Sequence, residues 1–189
     1  MALVEGISPV KIMRSMTDGL TKAGRRYEEG EFFLSELIMS GIMAQEVSNM
    51  LKPHMSSSGA ESLGRVVIGT VKGDIHDLGK NLVSMMLSSA GFEVADLGVD
   101  VPSERLVDAV WREKPAIVAM SCLLTTAMDE MKVTMNRLKE AGVREGVKVL
   151  VGGRPITMSF AEQIGADGYA EDAIQALSVA KSTVNREIA

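Results

Sequence analysis

From Arg65 to Thr183 the sequence repeats one rhythm, a short β-rich run followed by a longer amphipathic one. The short runs are RVVIGTV (65–71), FEVADLG (92–98), AIVAMSCL (116–123) and KVLVGG (148–153), with a weaker fifth at DGYA (167–170). The amphipathic runs are Gly79–Ala90, Ser103–Glu113, Ala127–Ala141, Thr157–Ile164 and Asp172–Thr183. A strand that returns through a helix re-enters the sheet in the same direction, so such a chain builds a parallel sheet covered on both faces. The pattern predicts an α/β fold: a Rossmann-like (flavodoxin-like), doubly wound sheet of five strands in the order 2-1-3-4-5. In that order the winding reverses between strands one and three, and ligands collect outside the carboxyl ends of the strands at that point. Three distinctive loops are thereby sent to one place: GDIHDLG after strand one, SCLLTT after strand three and VGG after strand four.

The part before this rhythm is helical. Ser8 can cap a helix that has Pro9 at its first position, and Met13, Met16, Leu20, Ala23 and Tyr27 follow at three- and four-residue steps along one face. Gly30 suits a C-terminal cap. A second helix, Phe32 to Leu51, is apolar over most of its circumference and must be covered on several sides. Pro53 is expected to stop it, and the Ser/Gly-rich stretch Met55–Gly64 reads as a linker. The expected organisation is a small helical cap over residues 1–54, a linker over 55–64 and the α/β unit over 65–189.

Composition narrows the function. The net charge is −5 with no basic cluster, which disfavours nucleic acid and anionic membranes as main partners. There is no run of eighteen apolar residues and no secretory leader pattern, and the single cysteine, Cys122, suits a reducing cytoplasm rather than a disulfide framework. The fourteen methionines read mostly as adaptable core filler.

The chemistry concentrates at GDIHDLGKNL, which holds one of only two histidines. It is not a phosphate loop: the gap from Gly73 to Gly79-Lys80 is one residue too long, Asn81 stands where a hydroxyl is needed, and Asp74 and Asp77 would repel phosphate. The dinucleotide fingerprint is absent, and too few Cys or His exist to complete a structural zinc site. Cys122 sits in an apolar strand and reads as inert core. One reading left open is a helix-capping Asp beside an incidental surface His. The sharper one makes His76 the sole protein ligand of a metal already held by a large cofactor. Asp74 would then fix the tautomer through the other ring nitrogen, and Ser121 with Gly152-Gly153 would wall a narrow slot for a flat group and its tail.

These residues resemble the D-x-H-x-x-G, S-x-L, G-G signature of base-off/His-on corrinoid proteins. Here it reads Asp74-Ile75-His76-Asp77-Leu78-Gly79, then 41 residues, Ser121-Cys122-Leu123, then 28 residues, and Gly152-Gly153. The first block alone arises by chance in about one chain in fifty of this size, whereas three blocks in register with three strands are far more specific. The helical part, with RYEEGEFFLSEL, is similar to the cap of methyl-transferring members: methionine synthase and the corrinoid proteins of methanol, methylamine and O-demethylase systems. The resemblance implies a cobalamin (corrinoid) cofactor with His76 as the cobalt ligand. It implies Asp74, Asp77, Gly79, Ser121, Leu123, Gly152 and Gly153 around the cofactor and its nucleotide tail. Thr125 and the Gly165–Ala173 segment, including Tyr169 and Ala173, would line it further, and Tyr27, Leu34 and Leu37 would shelter its upper face. The implied role is a methyl carrier in one-carbon metabolism, not catalytic alone. It would accept a methyl group on cob(I)alamin from a substrate-specific methyltransferase and donate it to a second one acting on tetrahydrofolate or coenzyme M. A corrinoid-reactivating protein would be a further partner.

Two departures stand out. Relatives often carry a hydroxyl at the position of Ala127, completing a His–Asp–hydroxyl relay; here the relay would end at Asp74, in water or at Thr126. The family cap usually has four helices and this chain shows two, so their remaining faces need a further segment, a partner or a second copy, and a homodimer through them is expected. The alternatives in the same fold are a cobalamin-dependent sensor, which would carry a basic recognition helix, and the cobalamin subunit of an adenosylcobalamin mutase, which usually lacks the cap.

Overall fold

The β-rich runs become β1 (Arg65–Thr70), β2 (Glu93–Asp96), β3 (Ile117–Ser121), β4 (Lys148–Gly152) and β5 (Gly168–Ala170) in a computed structural model that describes residues 6–7, 9–55 and 62–185. All pairings are parallel and the order is β2-β1-β3-β4-β5, as the rhythm predicts. The register aligns Thr70 with Ser121 and Ser121 with Gly152, so the three motif-bearing loops leave adjacent strands at the same level.

Strand alternation sorts the core into two clusters. Val67, Val118, Met120, Val149 and Val151 face α4 (Ser103–Glu113), α5 (Asp129–Glu140) and α6 (Met158–Ile164), meeting Leu106, Met131, Met135 and Leu138. Val66, Ile68, Ile117, Ala119 and Leu150 face α3 (Leu78–Ser89) and α7 (Ala173–Asn185), meeting Met86, Leu87 and Leu177. The strands are buried on both sides, which is why they read as continuous apolar runs.

The N-terminal helices, α1 (Pro9–Glu28) and α2 (Leu34–Met55), form a hairpin that adds a further layer outside α3 and α7. Gly30 has φ +76° and its N–H donates to the Tyr27 carbonyl, the expected C-terminal cap. Leu20 joins the α3/α7 cluster, Gly24 lies against Ile174 and Gly41 against Met85. Asp18 acts on Lys181, opposing the larger effect of burial, which holds that ammonium below its usual range. Gly24 thus meets the start of α7 and Asp18 its later turns, so α1 runs antiparallel to α7. The α1–α2 turn therefore sits toward the carboxyl edge of the sheet. Leu37, Ala44 and Leu51 are buried, while Phe33, Met39, Met43 and Met50 remain exposed, in keeping with a helix apolar on more sides than this chain covers.

Pro53 does not stop α2, which continues to Met55. So close to the end of a helix, its missing N–H costs a single backbone bond. The N-cap expected at Ser8 and most of the linker (56–61) lie outside the described residues.

Gly152 and Gly153 hold the carboxyl edge together for a reason the sequence does not show. A Cβ on Gly152 would lie 2.7 Å from the Ala170 carbonyl oxygen, and one on Gly153, at φ +127°, would collide with the Cys122 carbonyl. The backbones of β3, β4 and β5 approach too closely there for any side chain. Gly153→Ala should therefore cost at least about 3 kcal/mol, roughly 6–12 °C in melting temperature for a chain of this length. Gly146→Ala, where a Cβ meets nothing within 4 Å, should stay within about 0.5 kcal/mol in the same thermal melts.

Candidate functional site

The loop after β1 is held from three sides. Val71 bridges to Val101, and the Thr70 hydroxyl donates to the His76 carbonyl at 2.9 Å. Gly73, at φ +80°, donates its N–H to Asp100 Oδ1 at 2.7 Å, and the Asp100 N–H donates to the Asp74 carbonyl at 2.9 Å. Asp100 itself has φ 50°, a left-handed conformation that Asp tolerates. Thr70 and Asp100 escape sequence reading because neither falls in a motif; only the turn-like GVD after strand two hints at the second.

Inside this frame the Asp74 side chain is fully buried and accepts four hydrogen bonds. Oδ1 takes the His76 N–H at 3.0 Å and His76 Nδ1–H at 2.6 Å. Oδ2 takes the N–H groups of Leu123 at 2.5 Å and Leu124 at 3.2 Å. Burial alone would raise this carboxyl's pKa, yet the donors from Leu123, His76 and Leu124 hold it below the usual carboxylate range. An ionised Asp74 fixes the Nδ1–H tautomer and leaves the Nε2 lone pair of a half-exposed ring available to a metal. The relay from His76 thus ends on two backbone amides of the SCLL loop. Ala127, where a hydroxyl is expected, is buried in the opposite core cluster, and Thr126 is exposed.

Cys122 is fully buried, its Sγ–H donating to the Leu124 carbonyl at 3.1 Å. Burial first, and then the charge of Asp74, push its thiol up to about 11, so it stays protonated at neutral pH, as its reading as inert core requires.

Beside the loop, a slot of about 120 Å³ opens between α3 and α7 above the sheet. Ser121, Gly152, Gly153 and Ala119 form its floor, Gly79, Lys80 and Val83 one wall, and Ala173 and Ala176 the other. The structure brings Asp74, His76 and Leu123 together in the loop cluster beside the slot, and Gly79, Ser121, Gly152, Gly153 and Ala173 in the slot. Asp77 instead accepts a hydrogen bond from Asn81 at 3.1 Å at the start of α3, and Thr125 is exposed in a single 3₁₀ turn. Tyr169 does not line the slot. It alternates with Gly168 and Ala170 on β5 and packs against the α4/α5/α6 cluster, on the other face of the sheet. Tyr27 and Leu34 flank the α1–α2 turn, half-buried and exposed respectively, whereas Leu37 is 2% exposed inside the helical packing. These three belong to the hairpin and not to the loop cluster around His76.

Sequence reading also missed Lys80, 3% exposed, whose ammonium pairs with Asp96 Oδ2 at 2.5 Å and Asn81 Oδ1 at 2.7 Å and so ties the first turn of α3 to the end of β2. Asp172, at the slot's other wall, accepts the N–H groups of Ile174 and Gln175 at the start of α7.

The residues fit a corrinoid. One imidazole nitrogen is oriented and the other left free, and the slot is apolar with a backbone floor. At Gly79, on its rim, an added Cβ would meet no protein atom within 4 Å, so the small residue there keeps space open rather than serving the chain's own packing. Among the described residues no group of three or more His, Cys, Asp and Glu is placed to hold a metal ion.

Comparison with known proteins agrees. The B12 binding domain family matches residues 64–178. Trimethylamine corrinoid protein 1 of Methanosarcina acetivorans is 41% identical over 186 residues, covering 97% of this chain and 86% of that protein. Dimethylamine corrinoid protein 2 of the same organism is 40% identical, covering 94% and 83%. A crystal structure of a cobalamin-binding protein from Desulfitobacterium hafniense DCB-2 superimposes with a TM-score of 0.86 at 34% identity over 96% of this chain and 87% of that one. The methanol:cobalamin methyltransferase complex of Methanosarcina barkeri gives 0.79 at 32% identity, over 97% and 70%.

A carboxyl whose folded pKa is depressed contributes stability above its unfolded value, near about 3.9, and loses it as pH falls through the folded value. Asp74→Asn should therefore melt below wild type by about 3 kcal/mol at pH 7. The gap should stay constant down to about pH 5 and close progressively below about pH 4 in pH-dependent melts.

Proposed function

The chain belongs to the B12-binding domain family, with a corrinoid as cofactor, and we propose that it is the methyl-carrier subunit of a methyltransferase system. The observation that carries this reading is the His76–Asp74 pair, closed by the Leu123 and Leu124 amides at the mouth of a tail-sized slot. When bound, the corrinoid supplies a cobalt centre that can take up and release a methyl group. The chain's own part is to hold and orient. His76 would hold the metal through Nε2, with Asp74 keeping Nδ1 protonated and the ring in place. With Oδ2 occupied by backbone donors, no side chain continues the hydrogen-bond chain beyond Asp74. The slot of Gly79, Ser121, Gly152, Gly153 and Ala173 would take the cofactor's nucleotide tail.

In this reading a substrate-specific methyltransferase supplies the methyl group, an acceptor methyltransferase transfers it to tetrahydrofolate or coenzyme M, and a reactivating protein restores the reduced carrier. The relatives' names favour a methylamine as the methyl source. Residues 1–54 act as a helical cap joined through 55–64 to the corrinoid unit, with Tyr27 and Leu34 at the turn nearest the carboxyl edge. No helix among the described residues is long and apolar enough to cross a membrane, which suits work beside such partners. The exposed Met39, Met43 and Met50 on α2, with Phe33 just before it, offer a surface to a second copy.

Reconstituted with cobalamin, the wild-type chain should show the absorbance of a histidine-ligated form and take up labelled methyl from a methylamine when a cognate methyltransferase is supplied. His76→Gln should weaken corrinoid binding by at least about tenfold and shift that absorbance. An unchanged spectrum and affinity would remove His76 as the ligand. Sedimentation should show a dimer for wild type and a monomer after Met39→Lys with Met43→Lys; a monomeric wild type at high concentration would contradict self-association through α2.

A further inference from the structure

The slot lies between two helices, and the hairpin is seated on both. α2 packs along α3, with Gly41 so close to Met85 that a Cβ there would strike the thioether methyl. α1 also packs on α3 and touches the start of α7: a Cβ on Gly24 would lie 2.8 Å from the Cγ1 and Cδ1 atoms of Ile174, and Leu20 shares a core cluster with Leu177 and Ala173. α3 supplies Gly79, Lys80, Val83 and Leu87 to one wall of the slot, and α7 supplies Ala173 and Ala176 to the other. Among the described residues none from α1 or α2 lines the slot. The hairpin's leverage is therefore on the walls, not on what lies between them.

We propose that the α1–α2 hairpin is a strap across the two walls of the slot, keeping the cofactor's tail in place by preventing α3 and α7 from moving apart. This rests on the corrinoid reading and adds a retention function to the hairpin. The floor of the slot is sheet backbone and cannot yield, because Gly152 and Gly153 are already in closest approach to their neighbours. Widening must come from the helices. Each helix sends a side chain, Met85 of α3 or Ile174 of α7, into the space left by a glycine of the hairpin, and a larger residue there would displace it. The α3 wall is also anchored from the sheet side by the Lys80–Asp96 pair, whereas the first turn of α7 is capped locally by Asp172. α7 also packs directly on α3, β4 and β5, so the strap adds to contacts that the walls already share.

The test uses the whole chain loaded with cyanocobalamin. Gly24→Cys combined with Ile174→Cys can close a disulfide, since the Ile174 γ-carbons lie 2.8 and 3.2 Å from the Gly24 Cβ position. Cys122 is buried and does not compete. The oxidised pair should release corrinoid about tenfold more slowly than the Ile174→Cys single variant, a usual size for coupling between two sites. Gly41→Leu, which levers α2 off Met85, should release it faster while keeping the histidine-ligated absorbance. A strap that strengthens the hold on the tail is itself held more firmly when the tail is in place, so loading wild type should slow amide exchange in α1 and α2. Equal release from the cross-linked and single variants, with exchange in α1 and α2 indifferent to loading, overturns the strap and leaves the carrier reading intact. Failure of wild type to take up any corrinoid overturns the carrier reading, and the strap with it.

Discussion

The structure turns on one buried carboxylate. Asp74 is fully inaccessible and accepts four hydrogen bonds, two from His76 and two from the SCLL loop. A charge so placed is tolerable only when every lone pair is used, and the donors that satisfy it come from loops on two neighbouring strands. The same interaction therefore joins β1 to β3 at the switch point, fixes the tautomer of His76 and sets where its free nitrogen lies. Removing the carboxylate would loosen the loops and the His76 ring together. Its backbone termination also accounts for Ala127: with two amides filling Oδ2, the site needs no hydroxyl there to satisfy the charge.

Around that centre the fold divides the labour between its two faces. The α4/α5/α6 side is filled by Met131, Met135 and Leu138, all buried. The α3/α7 side holds small residues along the slot, with Gly79, Ala119, Ala173 and Ala176 where larger side chains would fill it. Glycines govern four close approaches: between strands at Gly152 and Gly153, and between layers at Gly24 and Gly41. Gly79, by contrast, lies on the rim of the slot with open space where a Cβ would be.

Much of this was legible in the sequence. The parallel order, the convergence of three loops and the His76–Asp74 pairing follow from strand rhythm and motif spacing. What stayed hidden depended on contacts distant in the chain. The amide donors of Leu123 and Leu124 are backbone groups, which no residue type advertises. Thr70, Asp100 and the Lys80–Asp96 pair act from positions outside any motif. Tyr169 came to the site through the resemblance of the Gly165–Ala173 segment to a cofactor-lining loop, but the two-residue period of β5 turns it to the other face. Gly152 and Gly153 read in the sequence as walls of a slot, and the structure gives them a reason of its own, since carbonyl oxygens of adjacent strands occupy the space a side chain would need. Pro53 misled because a helix-breaking residue has little to break in a final turn.

The central claim is that His76, oriented by Asp74, is the lower ligand of a bound corrinoid. Electron paramagnetic resonance of the loaded chain, with cobalt in its paramagnetic divalent state, reads the axial nitrogen through its superhyperfine splitting. Growth on ¹⁵N-labelled histidine should convert the nitrogen triplet into a doublet, since the ligating nitrogen then belongs to the protein. A triplet that persists in the labelled protein would mean that the cofactor's own base, and not His76, remains on the metal, and would contradict the account.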